Sequence, residues 1–202
     1  MYLKIKRFFD FFGSLFILIM LIPVLLSTAL CILAFDGRPV LFRQIRVGKN
    51  GIKFILYKFR SMKSSNIYES IGNIENYESA IDARKRFKAT SINDRRITIV
   101  GKFIRASHID ELPQLFNVIK GDMSLVGPRP DVPAQIADYQ QKEWNERISV
   151  VPGITGVSQV KVTNSNEERT KIDLFYIRNI SFLYDLKILL MTIIKIFKMN
   201  SF

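Results

Sequence analysis

FFGSLFILIMLIPVLLSTALCILAF, residues Phe11–Phe35, runs for twenty-five residues without a charged side chain and decides the architecture of this chain. As one helix at ~1.5 Å per residue it would be about 37 Å long, enough to cross a hydrocarbon core of roughly 30 Å. It is too long for the apolar core of a cleaved signal peptide. Pro23 lies at its centre, where a proline costs a helix roughly 3 kcal/mol. Each half is then too short to span a membrane alone.

Basic residues flank this stretch on both sides. They are Lys4, Lys6 and Arg7 before it, and Arg38, Arg43, Arg46, Lys49, Lys53, Lys58, Arg60 and Lys63 after it. Positively charged flanks favour the cytoplasmic side of a membrane. A helix that enters, bends at Pro23 and leaves through the same face satisfies this rule at both ends, whereas a kinked span does not. We predict a re-entrant helix–break–helix over residues 1–36 and a cytoplasmic domain over residues 37–202, with the kinked span as the open alternative.

The composition narrows the classes of partner. Thirty basic and eighteen acidic residues give a net charge of +12. Such a charge predicts an anionic binding partner, which could be nucleic acid, anionic lipid or a phosphorylated substrate. An apolar content of 48% with sixteen Phe is atypical of a nucleic-acid-binding protein and favours a membrane protein. One cysteine and one histidine exclude an internal disulfide and argue against a metal centre built from those residues.

The remaining sequence predicts a mainly helical α+β domain. Val40–Phe59 holds two β-rich runs around Asn50-Gly51, which is a strong hairpin signal. Residues from about Ser64 to Asn93 are polar and predict helix and loop without recognisable chemistry. SFLYDLKILLMTIIKIFKMNSF, residues Ser181–Phe202, has helical apolar spacing with interspersed lysines. This pattern fits an amphipathic helix at a membrane surface or a core helix of the domain, and both remain open.

Two adjacent carboxylates stand in HIDELPQLFNVIKGDMSLVGPRP, residues His108–Pro130. Asp110 is a candidate N-cap of a short helix that tolerates a proline in its first turn and ends at Gly121. An i, i+3, i+4, i+7 spacing predicts that its apolar face consists of Leu112, Leu115, Phe116 and Ile119. In the plainest interpretation, Asp110 caps the helix and Glu111 favours its dipole.

The arginines on either side favour a chemical role for the pair. Arg105 precedes Asp110 by five residues, and Arg129 follows the helix in a proline-rich loop. Arginine binds phosphate through two parallel hydrogen bonds. Carboxylates that face a phosphate need a further positive partner, and Mg²⁺ supplies one because it binds hard oxygen ligands and bridges phosphates. One carboxylate could hold the metal while the other attacks phosphorus.

The chain resembles the bacterial sugar transferase family, the small monotopic phosphoglycosyl transferases that act on polyprenol phosphate. The resemblance covers nearly the whole length through the order and spacing of KRFFD, RQIRVGKNGIKFILYKFRSM, NDRRITIVGKFIR, DELPQLFNVIKGDMSLVGPRP, PGITGVSQ and DLFYIRNISFLYDLKILLMT. It implies transfer of a sugar 1-phosphate from a UDP-sugar to undecaprenyl phosphate, with release of UMP, as the first membrane step of a surface glycan. It also implies a re-entrant membrane helix at the cytoplasmic face of the bacterial inner membrane.

The resemblance also implies roles for particular residues. Asp110 would be the nucleophile of a ping-pong reaction and would carry a phosphosugar, while Glu111 would be the Mg²⁺ ligand. Candidates for contacts with substrate or phosphate are Lys58, Arg60, Arg105, Arg129 and Asp173. A homodimer through apolar membrane faces is compatible with the sequence.

Three departures from the family pattern bear on these expectations. Ile22 replaces the usual serine before Pro23, Val151 replaces a usually basic residue, and Lys161–Lys171 diverges throughout. The last segment is a candidate source of sugar specificity. The alternative from another functional class is a membrane-anchored basic binding protein, which explains the charge and the anchor but not the carboxylate pair between arginines.

Overall fold

The computed structural model describes residues 2–63, 81, 84, 94–161, 163 and 165–199. The predicted helix and loop between Ser64 and Asn93 lie outside these residues, except for the helical positions Ile81 and Arg84. The helices are α1 (Tyr2–Met20), α2 (Ile22–Phe35), α3 (Ile99–Ala106), α4 (Gln114–Lys120), α5 (Gln141–Arg147), α6 (Val157–Val160), α7 (Asn166–Arg178) and α8 (Phe182–Met199). The strands are β1 (Leu41–Val47), β2 (Lys53–Phe59), β3 (Ser124–Val126) and β4 (Gly153–Thr155).

The apolar N-terminal stretch forms two helices bent by 62° at Leu21. Among the described residues, no single helix is long and apolar enough to cross a membrane, whereas α1 and α2 together are, by length and composition. The predicted bend is therefore present. Pro23 lies in the first turn of α2 and not in the interior of a helix. Backbone donors of a first turn need no intrahelical acceptor, so α2 accommodates the proline there.

Both ends of this bent pair contact the rest of the chain. At the start of α1, the Asp185 carboxylate of α8 accepts hydrogen bonds from Tyr2 and Lys6, each at 2.6 Å. At the end of α2, the Asp36 carboxylate accepts a hydrogen bond of 2.8 Å from Thr98 beside α3. The first turns of α1 therefore pack with the globular part, and a domain division at residue 36 stays a prediction.

The predicted hairpin is confirmed. Strands β1 and β2 pair antiparallel from Val47↔Lys53 to Leu41↔Phe59. Their connection includes a 3-10 turn in which Asn50 has a φ of 55°, a left-handed conformation that asparagine tolerates well. Because side chains alternate along a strand, Lys58 lies on the same face of β2 as the buried Leu56. The hairpin thus directs a lysine towards the interior.

A second, parallel pair of strands positions the proline-rich loop. Strand β3 pairs with β4 at Ser124↔Gly153 and Val126↔Thr155. A Cβ atom at Gly153 would lie 2.0 Å from the backbone nitrogen of Gly127, so only glycine permits this approach. The segment that follows β3 is consequently pressed against β4.

Helix α8 packs into the core along one edge, as one of the two alternatives for the C-terminal sequence predicts, and its place at a membrane surface stays a prediction. Ile188 is fully buried in a cluster with Val126 and Tyr176, whereas Leu183 is 75% exposed. The helix therefore contributes to the core along one edge and presents an apolar surface along another.

Candidate active site

The carboxylate pair lies in a 3-10 turn, Ile109–Glu111, between α3 and α4. His108 has a φ of 57°, which turns the chain sharply before the pair. The prediction that Asp110 caps the helix is wrong: Pro113 occupies the N-cap position of α4. Since Pro113 has no backbone N–H, it interrupts the hydrogen-bond ladder and separates the turn from the helix.

The predicted apolar face of α4 is also only partly correct. Leu115 is buried as expected, but Phe116 is 48% exposed, and Asn117 is completely buried in its place. The Asn117 side chain accepts a hydrogen bond from the Tyr57 backbone at 3.1 Å and donates one to the Ile55 carbonyl at 2.7 Å. These bonds dock α4 against β2 and bring the carboxylate pair to Lys58.

Two cations converge on Glu111. Its Oε1 atom accepts hydrogen bonds from Lys58 Nζ at 2.6 Å and from Arg129 Nη2 at 3.2 Å. Burial alone would raise the pKa of Glu111, but the charges and hydrogen bonds of Arg129 and Lys58 outweigh it and lower the pKa to about 2. Glu111 is therefore a carboxylate at neutral pH, and its second oxygen makes no hydrogen bond to the described residues.

The pKa of Asp110 is shifted in the direction opposite to that of Glu111. Its side chain is partly buried and makes no hydrogen bond to any described residue. Burial raises the pKa of Asp110, the Glu111 charge adds to this, and Lys58 and Arg105 oppose it without cancelling it. Asp110 is thus more basic than an ordinary aspartate, a property expected of a carboxylate nucleophile.

Arg105 reaches the same region from the last turn of α3. Thr98 caps the start of this helix by accepting a hydrogen bond from the Gly101 backbone at 2.8 Å. The Arg105 side chain is partly exposed and forms no ion pair within the described ranges, yet its charge offsets part of the rise that burial causes in the pKa of Asp110. Three of the five predicted phosphate-binding residues, namely Lys58, Arg105 and Arg129, therefore surround the carboxylate pair.

The other two predicted contact residues lie elsewhere. Arg60 is 7% exposed and donates hydrogen bonds to the backbone carbonyls of Asp36, Gly37 and Arg38 at the end of α2. Asp173 is 1% exposed and binds Arg147. Their side chains have partners within the protein that help to hold the chain together, and a contact of either one with a substrate stays a prediction.

Arg46 is a site residue that no sequence motif indicates. With Lys58, Gln114 and Arg129 it lines a narrow cleft next to Glu111. Burial and the nearby Arg129 charge lower the pKa of Arg46 to about 10. Its Nε atom is buried without a hydrogen-bond partner in the described part of the chain. Its position in a β-strand resembles that of any strand arginine, and no local pattern distinguishes it.

The pair Asp110–Glu111 fits a magnesium ion bound together with substrate. No group of three His, Cys, Asp or Glu side chains able to hold a metal occurs within the described residues. Mg²⁺ usually takes only one or two protein carboxylates and completes its shell with water and substrate phosphates. The free oxygen of Glu111 is a hard ligand of that kind, and it would hold the ion together with the substrate.

Comparison with known proteins identifies a match over nearly the full length. A family model described as bacterial sugar transferase matches residues 1–199. A UDP-glucose:undecaprenyl-phosphate glucose-1-phosphate transferase of Klebsiella pneumoniae is 39% identical over 199 residues, 94% of this chain and 39% of that protein. An undecaprenyl-phosphate galactose phosphotransferase of Salmonella typhimurium is 39% identical over 193 residues, 93% of this chain and 39% of that protein.

A shorter relative matches over most of its own length. The uncharacterized sugar transferase EpsL of Bacillus subtilis is 39% identical over 194 residues, 95% of this chain and 87% of that protein. The chain therefore corresponds to about two fifths of the Klebsiella and Salmonella relatives and to nearly all of the Bacillus one.

Proposed function

Because the chain belongs to the bacterial sugar transferase family, we propose that it transfers a sugar 1-phosphate from a UDP-sugar to undecaprenyl phosphate and releases UMP. The names of the Klebsiella and Salmonella relatives supply the reaction class. The observation that carries the proposal is the contrast within the pair: Lys58 and Arg129 bind Glu111, whereas Asp110 is left basic and without a hydrogen bond to the described residues.

Asp110 is the nucleophile in this proposal. One Asp110 oxygen attacks the phosphorus that bears the sugar, a new O–P bond forms, and the bond to the bridging oxygen of the diphosphate breaks. UMP leaves with that oxygen and its electron pair. An oxygen of undecaprenyl phosphate then attacks the same phosphorus, which releases Asp110 and yields the lipid diphosphate-linked sugar.

The cationic side chains offset the charge that gathers in this reaction. A diphosphate and two carboxylates repel one another, and Lys58, Arg105 and Arg129 lie where they reduce that repulsion. Arg46 extends the cationic lining of the cleft. A bound Mg²⁺, held by Glu111, would neutralise the donor diphosphate.

The surface around the site supports a lipid acceptor. Helix α3, which carries Arg105, exposes Ile99 by 88% and Phe103 by 68%. Both ends of the bent α1–α2 pair contact the globular part, which supports a re-entrant path with both ends at the cytoplasmic face of the inner membrane. An acceptor phosphate at the bilayer surface would then lie near Asp110.

The test is UMP release by purified protein in detergent with undecaprenyl phosphate, Mg²⁺ and a panel that includes UDP-glucose and UDP-galactose. Release with one donor, abolished by a chelator and by Asp110→Asn, supports the proposal. Glu143→Gln is the matched control, since it changes a partly exposed carboxylate of α5 in the same way. Mass spectrometry after incubation with donor alone should find one phosphosugar on the peptide that contains Asp110.

Two outcomes would contradict the proposal. An unmodified Asp110 peptide from enzyme that is fully active would exclude the covalent step. Absence of release with every donor, together with salt-sensitive binding to anionic vesicles, would favour the membrane-anchored basic binding protein instead.

A further inference from the structure

The segment Pro128–Asp131 is held at four successive backbone carbonyls. Each accepts a hydrogen bond from a different donor, in chain order Gly153 N at 2.9 Å, Arg147 Nη2 at 2.9 Å, Arg46 Nη1 at 2.8 Å and Val47 N at 2.9 Å. Two of these four donors are arginine side chains. Pro128 and Pro130 have restricted backbones and cannot donate hydrogen bonds themselves. Other parts of the chain therefore hold the segment in place, and we call these four hydrogen bonds the clamp.

Only one side chain of the segment is directed outwards. Asp131 is 3% exposed and the prolines are buried, whereas the Arg129 side chain is 38% exposed and reaches Glu111. The position of the Arg129 guanidinium depends on the backbone that carries it. The hydrogen bond to the Arg129 carbonyl therefore restrains the same residue whose guanidinium belongs to the candidate active site.

Arg147 supplies the hydrogen bond to the Arg129 carbonyl from a buried position. Its side chain is 3% exposed, so it cannot touch a substrate. Nε donates to Asp131 at 2.6 Å, Nη1 donates to Asp173 at 2.5 Å, and Nη2 donates to the Arg129 carbonyl at 2.9 Å. The planar guanidinium links three elements in one fixed geometry, which a lysine cannot reproduce.

We propose that Arg147, oriented by Asp131 and Asp173, is a positioning residue that holds Arg129 against Glu111 for the transfer reaction. The effect of Arg147 on the reaction rests on the proposed function. The hydrogen bonds of the clamp do not depend on that function. A shift of about 1 Å in a substrate-binding group costs up to ~100-fold in rate. Arg147 would act only through Arg129.

A second ion pair between the same two helices provides the control. Arg178 of α7 donates to Glu146 of α5 at 2.6 Å, beside the Arg147–Asp173 contact. The Arg178 side chain is 62% exposed and has no contact with the Pro128–Asp131 segment. Arg178→Gln therefore loosens the α5–α7 link without releasing Arg129.

The first experiment is a double-mutant cycle on UMP release. Arg147→Lys should lower kcat/KM for the donor by about 10- to 100-fold, with the same division between kcat and KM as Arg129→Ala. In the Arg129→Ala background it should cost less than about threefold more, because the two residues act in series. Asp173→Asn, a milder change, should give a smaller loss with the same division. Losses that multiply independently, or a comparable loss with Arg178→Gln, would overturn the proposal.

The second experiment measures the segment without any substrate. The single cysteine, Cys31, allows a nitroxide label to be placed by Arg129→Cys in a Cys31→Ser protein. Its electron paramagnetic resonance spectrum should show that the label becomes more mobile with Arg147→Lys or Asp173→Asn. Its mobility should not change with Arg178→Gln. Identical spectra in all variants would exclude the clamp. A label that is mobile as expected, while the protein that retains Arg129 turns over no UDP-sugar, would keep the clamp and reject the proposed function.

Discussion

Lys58 and Glu111 form an ion pair of 2.6 Å between the hairpin and the 3-10 turn, and their side chains are only 15% and 20% exposed. The pair joins residues 53 positions apart and ties the carboxylate turn to β2. Because one oxygen of Glu111 is bonded in this way, its other oxygen and the neighbouring Asp110 remain available.

Replacement of Lys58 should impair both activity and stability. Lys58→Met leaves Glu111 with Arg129 alone, so the transferase rate should fall roughly 100-fold. The free energy of unfolding should fall by about 2 kcal/mol, between the values for exposed and buried ion pairs. Lys49→Met, in the exposed hairpin turn, is the control. Comparable losses in both variants, by UMP assay and thermal melting, would contradict this role.

Asp110 and Glu111 should affect stability in opposite directions. Burial raises the pKa of Asp110, so its charged form destabilises the fold at pH 7, and Asp110→Asn should leave the melting temperature unchanged or higher. The pKa of Glu111 is lowered to about 2, so Glu111→Gln should lower the melting temperature. Asp110→Asn should nevertheless reduce UMP release at least 1,000-fold. Destabilisation by Asp110→Asn would argue against this electrostatic account.

Asp131 should make stability depend on pH in the acid range. Burial opposes ionisation, but Arg147 and Arg169 outweigh it and hold the pKa of Asp131 below its ordinary value of about 3.9. The ion pairs therefore stabilise the fold above about pH 4, and this contribution is lost as pH falls through the folded pKa. Asp131→Asn should be less stable at pH 7 by about 3 to 5 kcal/mol. Its melting temperature should fall less than that of the parent protein between pH 5 and pH 3, and parallel curves would refute the assignment.

Asp185 should anchor α1 to the globular part. It accepts hydrogen bonds from Tyr2, Lys6 and Tyr176 at 2.6, 2.6 and 2.7 Å. Asp185→Asn should cost roughly 3 kcal/mol and speed amide hydrogen exchange in the first turns of α1. Lys187→Met, an exposed change on the same helix, should do neither. Unaltered exchange in Asp185→Asn would show that other contacts hold α1.

The two topologies of the N-terminal segment differ in which ends can be labelled from outside. In a Cys31→Ser protein, Lys4→Cys and Arg38→Cys place single thiols at exposed positions on either side of α1–α2. With a re-entrant segment, a membrane-impermeant maleimide should leave both unlabelled in intact spheroplasts and label both after lysis. Labelling of one position in intact spheroplasts would instead identify a kinked span.

Local features of the fold follow directly from local sequence. Asn50 and Gly51 produce the hairpin because their backbone preferences act within four residues. Pro23 likewise specifies a bend, although the helix break lies two residues earlier, at Leu21. Asp110 and Glu111 were recognisable as a pair because they are adjacent, but their helix was not, since Pro113 interrupts the backbone ladder.

Contacts between distant residues were not predictable in this way. Asn117 looks like a solvent-facing residue of α4, yet it is completely buried because it bonds the edge of β2 some sixty residues away. Arg60 and Asp173 carry the charges expected of phosphate- or substrate-handling residues, but their partners in the tertiary structure are backbone carbonyls and Arg147.

The bent apolar segment, the hairpin, the adjacent carboxylates and the family were all predictable from the sequence, because each depends on residues that are neighbours or on their order along the chain. Which charged side chains meet depends on the tertiary structure. It paired Lys58 and Arg129 with Glu111, left Asp110 without such a partner among the described residues, and placed Arg147 behind Arg129. The reason is physical: a charge is stabilised or made reactive by the burial and by the opposite charges around it, and these come from remote parts of the chain.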